Sequence, residues 1–88
     1  MEVYNNKELS QFEVQFGAET AYSEYEVRDG NMYFKHTDVP EDMKGKGVGR
    51  AIARTALTFA RENQLKVVPW CPFFKGYIER HPEYQDLL

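Results

Sequence analysis

The sequence predicts an α+β domain: an antiparallel meander of three strands, one long helix, a fourth strand and a short C-terminal helix. Three observations predict it. Apolar and polar residues alternate through the first part of the chain. The period changes to spacings of three and four between Val48 and Ala60. Prolines 40, 69, 72 and 82 fall at the borders of these segments. The chain has 88 residues, the size of a single domain, read here as residues 1–88.

Residues 1–10 form a loose polar start. Phe12, Val14 and Phe16 alternate with Glu13 and Gln15, which predicts a strand that Gly17 ends. Ala21, Ser23, Tyr25 and Val27 share one face of a second strand, with Tyr22, Glu24 and Glu26 opposite. Asp29-Gly30 predicts a tight hairpin, because such turns need positive φ and glycine adopts it without penalty. The third strand runs from Met32 to Val39 and stops at Pro40. Val48, Ile52, Ala56 and Phe59 or Ala60 then form one helical apolar stripe, with Asn63 as the stop. Lys66 to Cys71 reads as a strand, and Pro69 marks it as an edge strand or one splayed from its neighbour. Pro72 can open a helix, whose first N–H groups have no internal partner. Phe73, Phe74, Tyr77 and Ile78 give that helix an apolar face; Pro82 ends it, and Tyr84–Leu88 forms a tail.

Composition narrows the function classes. No apolar run approaches the ~20 residues of a membrane span, and no secretory leader is evident, so the expectation is a cytoplasmic protein with no membrane partner. One cysteine excludes an internal disulfide, and with two histidines it argues against a tetrahedral zinc site; no metal is expected. The net charge is -3, but it is uneven. Lys44, Lys46, Arg50, Arg54 and Arg61 lie in one segment without an acid, while the rest of the chain holds six bases and all fourteen acids. Such a balance disfavours nucleic acid, which recruits a broad basic surface, and suits one compact anion. An arginine-rich solvated helix face accounts for the same charges.

Lys44-Gly45-Lys46-Gly47-Val48-Gly49-Arg50 is the most informative stretch. Alternate glycines remove side chains where the chain turns into the long helix. The first amides of a helix are unpaired and lie at the positive end of its dipole, so a phosphate or diphosphate is held there readily. Two better-known phosphate loops do not fit. No Gly-Lys-Ser or Gly-Lys-Thr is present, and G-x-G-x-x-G fails because Arg50 or Ile52 stands where the third glycine belongs. A flexible approach to an ordinary helix is the competing reading.

Lys44-x-x-Gly47-x-Gly49 resembles the Q/R-x-x-G-x-G/A signature of the GNAT acetyltransferases, with lysine in the first position. Together with His36-Thr37-Asp38-Val39-Pro40, Pro69-Trp70-Cys71-Pro72 and His81-Pro82-Glu83-Tyr84, it is similar to the small GNAT-like family that includes the human N-acetyltransferase domain-containing protein 1. The resemblance runs from about Ala21 to Tyr84, and Asp38 stands where that family suggests glutamate. It implies a minimal GNAT-like fold, in which the meander is followed by a β-α-β crossover whose two parallel strands splay to admit the pantetheine arm. It also implies acetyl-CoA as cofactor, held by Val39, Lys44, Gly45, Lys46, Gly47, Val48, Gly49 and Arg50. The activity implied is N-acetyl transfer to a primary amine that the sequence does not identify.

The catalytic candidates are Cys71, Asp38, His36 and Tyr77. Cys71 precedes Pro72, so it sits at a helix N-terminus, which favours a thiolate. It is a nucleophile that carries the acetyl group transiently, a lining of the thioester channel, or a buried small residue. Asp38 is a base for the incoming amine or an acid that caps a turn; His36, on the same strand face, is a proton shuttle or a half-buried structural residue. Tyr77 protonates the departing thiolate or anchors the core. His81 reads as a turn residue. With little chain before Phe12 to wall an acceptor site, the groove is open or completed by a partner or second copy, as monomer or homodimer. The alternatives to an enzyme are an acyl-CoA-binding module with little or no turnover, and an interaction domain that keeps the fold without the ligand.

Overall fold

The computed structural model describes every residue from Met1 to Leu88. Five strands lie in one sheet in chain order: β1 (Tyr4–Asn6), β2 (Gln11–Phe16), β3 (Glu19–Arg28), β4 (Asn31–Asp38) and β5 (Lys66–Pro69). The first four are antiparallel neighbours, and β5 lies parallel to β4. Between β4 and β5 run a 3-10 turn (Glu41–Met43) and helix α1 (Val48–Glu62); helix α2 (Pro72–Arg80) and a 3-10 turn (Pro82–Leu87) complete the chain. This is the meander, crossover and C-terminal helix that the sequence predicts, with one further strand at the start of the sheet.

Local chemistry accounts for most borders. Asp29 and Gly30 take φ of 53° and 79°, the two positive values a two-residue hairpin turn needs. Asn63 closes α1, its backbone N–H donating to Arg61 and Phe59 carbonyls and its Nδ2 to the Phe59 carbonyl at 2.8 Å. Pro72 opens α2 and His81 closes it, with His81 Nδ1 2.8 Å from the Tyr77 carbonyl.

One face of the sheet carries the core. Phe12, Val14, Ala21, Ser23, Tyr25, Met32 and Phe34 are buried on it. α1 covers the middle strands with Val48, Ile52, Ala53, Ala56, Leu57 and Ala60, and Phe59 meets the Phe12 ring edge-on. α2 lies beside α1 on the same face. Its Phe74 stacks on Phe34, with centroids 3.9 Å apart and planes 7° from parallel. Removing either of these fully buried rings costs about 3–5 kcal/mol. The 3-10 tail is tied down by Arg61, which donates to both Asp86 carboxylate oxygens (2.7 and 3.0 Å) and to the Glu83 carbonyl (2.8 Å), and it places Leu87 in the core. The opposite face of the sheet carries no helix.

Four details differ from the sequence expectation. The polar start contains β1, which pairs with β2 and is fastened by the Tyr25 hydroxyl donating to Asn5 Oδ1 at 2.7 Å. Val27 is 48% exposed, because β3 runs past the start of β2, which pairs with it only as far as Glu24. β4 ends at Asp38 rather than Val39. β5 ends at Pro69 rather than Cys71; the Cys71 N–H turns to the Phe34 carbonyl (2.9 Å), and Cys71 becomes the N-cap of α2.

Candidate functional site

Two features of the backbone meet at the β4–α1–β5 crossover. The first is the glycine loop. Gly45 and Gly47 have φ of 78° and 76°, left-handed values at which any other residue is strained. Gly47 is the N-cap of α1 and offers no side chain to its amides. The backbone N–H groups of residues 45 to 50 donate to no acceptor within the chain; the first helical bond runs from the Ala51 N–H to the Gly47 carbonyl. A cradle of successive unpaired amides at a helix N-terminus is an anion site by construction. A side chain at Gly45 would meet open space, and one at Gly47 only the Arg50 guanidinium, 3.8 Å from its Cβ position. The space in front of the loop is therefore clear. The donor set suits a phosphate or diphosphate, which needs many donors and no protein carboxylate beside them; the first turn of α1 has none.

The side chains around the loop are cationic. Lys44 is paired with Glu41 at 3.4 Å. Lys46 lies over the Phe16 ring, 4.9 Å from its centroid, and forms no ion pair. Arg50 and Arg54 likewise have no carboxylate partner. Val48 is buried and Val39 packs against the core, so both hold the loop rather than present a polar group. Gly49 has a different reason to be glycine: a Cβ there would stand 3.1 and 3.2 Å from two carbons of the Phe73 ring, where α2 crosses α1. A groove of about 510 Å³ runs beside the loop, lined by Val14, Phe16, Met43, Lys46 and Val48. A second groove of about 530 Å³ lies between the first strand and α1, with Arg54 on its wall and Val3, Phe12 and Phe59 deeper along it.

The second feature is the parting of β4 and β5. They pair from Asn31↔Lys66 to Phe34↔Pro69 and no further. Beyond Cys71 the chain enters α2, and β4 continues from Lys35 to Asp38 with β3 as its sole strand neighbour. Pro69 brings no N–H to the ladder where it ends. A β-bulge lies at this point. Tyr25 faces Phe34 but Glu24 faces His36, so Lys35 is an extra residue on β4. The bulge reverses the alternation of side chains: Met32 and Phe34 point into the core before it, and Thr37 does so after it.

That reversal separates the sequence-derived catalytic candidates. Cys71 is buried on the helix-covered face, its thiol donating to Thr37 Oγ1 at 3.3 Å; Thr37 Oγ1 lies 2.9 Å from the fully buried Ser23 hydroxyl. His36 and Asp38 are exposed on the uncovered face, beside Tyr22, whose ring centroid is 5.9 Å from that of His36. Tyr77 is buried in α2, stacked on His81 at 4.0 Å, and burial raises its hydroxyl pKa against the opposing pull of Arg54 and Arg50. Arg50 thus belongs to both the loop and the surroundings of Tyr77. Sequence reading did not single out Ser23, Thr37 or the Lys35 bulge.

Comparison with known proteins agrees with this geometry. Residues 11–87 match the family model described as GCN5-related N-acetyl-transferase. Protein NATD1 of Homo sapiens is 34% identical over 53 residues, which are 60% of this chain and 47% of that protein. Protein NATD1 of Gallus gallus gives 34% identity over 53 residues and 48% of its length, so the match spans about half of these relatives. Protein NATD1 of Danio rerio is 27% identical across the whole chain and 84% of its own length. A GCN5-like protein from Staphylococcus aureus, whose structure was solved in solution by NMR, superposes with a TM-score of 0.78 at 28% identity, covering 98% of this chain and 85% of that one.

Proposed function

Because this chain belongs to the GCN5-related N-acetyltransferase family, we propose that it binds acetyl-CoA and transfers the acetyl group to a primary amine. The observation that carries this reading is the run of amides from residue 45 to residue 50 without an internal acceptor, at the N-terminus of α1. Those amides hold the diphosphate, with Lys46 and Arg50 balancing its charge. The unpaired margin of β4 from Lys35 to Asp38 offers backbone donors and acceptors to the amides of the pantetheine arm. When bound, the cofactor supplies an acetyl thioester activated for attack by an amine.

The chain's own residues then manage protons. An attacking amine must be neutral, and His36 and Asp38, exposed side by side on the bare sheet face, accept its proton directly or through water. The Tyr77 hydroxyl, like any tyrosine's, is protonated at neutral pH, the state required of a proton donor, and burial raises its pKa further. Cys71 lines the channel on the other side of β4, its thiol held by Thr37. Titration calorimetry with acetyl-CoA tests the cofactor: no heat and no melting shift at millimolar ligand rejects it. Release of free thiol over a panel of amines tests the transfer.

A second reading is an acyl-CoA-binding module without efficient turnover. It draws support from one observation: the thiol of Cys71 and the groups His36 and Asp38 lie on opposite faces of the sheet. Tight acetyl-CoA binding with no thiol release from any amine favours it.

A further inference from the structure

We infer that the uncovered face of the sheet docks the amine acceptor as an extended, lysine- or arginine-rich peptide segment. The inference rests on the acetyl-transfer reading above and names its substrate class.

Charge complementarity is the first argument. Glu13, Glu24, Glu26 and Asp38 all belong to the strand positions that point away from the helices. The cations on that face are Arg28 and Lys35, and both are committed to Glu26, at 2.7 and 3.7 Å. Glu24 and Asp38 have no ionic partner, and Glu13 is held only by the neutral amides of Asn6 and Gln11. The free bases Lys46, Arg50 and Arg54 lie instead on the loop and α1. The molecule therefore separates an anion site on one side from a carboxylate-bearing face on the other, and a cationic ligand is drawn to the second.

The register supplies the second argument. Tyr22 faces Asp38 and Glu24 faces His36, so two carboxylates flank two rings in one cross-strand square. Carboxylates beside aromatic faces hold ammonium and guanidinium groups by charge and by cation–π attraction. The same face already does this with a group of its own: the Arg28 guanidinium lies 4.8 Å from the Tyr33 ring centroid and 2.7 Å from Glu26. Tyr33 in turn packs on Trp70, which is 58% exposed, at 4.8 Å.

Extent and position select a peptide over a small diamine. From Asp38 to Tyr33 the face spans roughly 16 Å at about 3.3 Å per residue, which matches several side chains of an extended segment. The face is flat and open, with no walls to enclose a small molecule. It is also continuous with the stretch Lys35–Asp38 at which the thioester would arrive.

The test titrates an end-blocked hexalysine peptide into the intact, nitrogen-15-labelled chain at low ionic strength, with hexaglutamate as control. Expected are shifts confined to Tyr22, Glu24, His36 and Asp38 and their neighbours, an affinity that weakens with added salt, and no response to hexaglutamate. Glu24→Gln should weaken binding about threefold and Glu24→Lys about tenfold or more, with melting temperatures near that of the parent. Shifts along α1, no shifts, or unaltered affinity in both variants would overturn the inference. So would self-association in the ultracentrifuge that perturbs these same residues without peptide. Acetyl-CoA binding is measured on the same sample. If acetyl-CoA binds and hexalysine does not, the docking inference alone fails. If hexalysine binds and acetyl-CoA does not, the transfer reading fails, and the face loses its role as an acceptor site.

Discussion

Replacing Gly47 separates backbone strain from electrostatics at the helix N-terminus. Gly47 holds φ at 76° as the N-cap of α1. An L-residue in that conformation costs about 1–2 kcal/mol. In a chain of this size that lowers the melting temperature by roughly 4–16 °C. Space adds little, since the nearest atom to the added Cβ is Arg50 Nη2 at 3.8 Å, an ordinary contact. Gly47→Ala and Gly47→Glu should therefore lose similar stability. Their ligand affinities should differ. The alanine variant keeps the amides and the charge. The glutamate variant brings a carboxylate against bound phosphates and also draws Arg50 away from them. Two unit charges about 4 Å apart repel by about 1 kcal/mol in water and about 4 kcal/mol at the effective dielectric near a protein surface. The expected loss in acetyl-CoA affinity relative to Gly47→Ala is thus from about fivefold to several hundredfold. Calorimetry with acetyl-CoA and melting curves without it read both quantities. Equal affinity of the two variants, or parental affinity in Gly47→Glu, refutes a diphosphate at this loop.

Gly49→Ala sets helix propensity, a gain of about 1 kcal/mol, against overlap with the Phe73 ring, a cost of about 1–3 kcal/mol. It should be neutral to destabilising in the parent and stabilising by about 1 kcal/mol in a Phe73→Leu background; urea titrations that gave the same sign in both would contradict the Phe73 contact as the cause. Cys71→Ala should keep thiol release within about threefold of the parent, because the Thr37–Ser23 hydrogen bond survives it; loss of turnover with intact acetyl-CoA binding would make Cys71 the nucleophile instead. Asp86 is held below the ordinary carboxylate pKa, first by its hydrogen bonds from Arg61. The stability it contributes is fully present above about pH 4, the unfolded value, and disappears as pH falls through the lower folded one. The melting difference between parent and Asp86→Asn should accordingly be present at pH 7 and vanish in strong acid; a difference independent of pH would show that the ion pair is not its source.

The parts of the fold that were legible in the sequence are those set by near neighbours. Alternation gave β2 and β3, Asp29-Gly30 gave their hairpin to β4, and the stripe from Val48 to Ala60 gave α1 to within a residue or two. Pro69 marked β5 as an edge strand or one splayed from its neighbour, since a missing N–H has the same meaning in either role; β5 is at the edge and its pairing with β4 ends at Pro69. β1 was not legible, because Tyr4-Asn5-Asn6 has no alternation and is held by distant partners, Tyr25 on Asn5 and Glu13 on Asn6. The bulge at Lys35 was hidden for a related reason: it is fixed by how Glu24 and Tyr25 match their partners, not by β4 itself. The candidate site followed the same division. The amide cradle lies within one stretch of chain and could be read from its glycines. The division of His36 and Asp38 from Cys71 depends on the bulge and could not. Gly49 carries both lessons: the glycine pattern was right, but that residue answers to the Phe73 ring on another helix.

The three residues of β1 have consequences for how the molecule comes apart. With so few ladder bonds and only two side-chain tethers, Tyr25 to Asn5 and Asn6 to Glu13, the strand can detach at far less free energy than global unfolding requires. Its departure would bare the rim of β2 while the remaining sheet stayed intact. An unprotected rim of that kind is a template for any extended chain that meets it, including a second molecule of this protein. The Asn5–Tyr25 tether is therefore as much a guard against unwanted partnership in concentrated solution as a support for the fold.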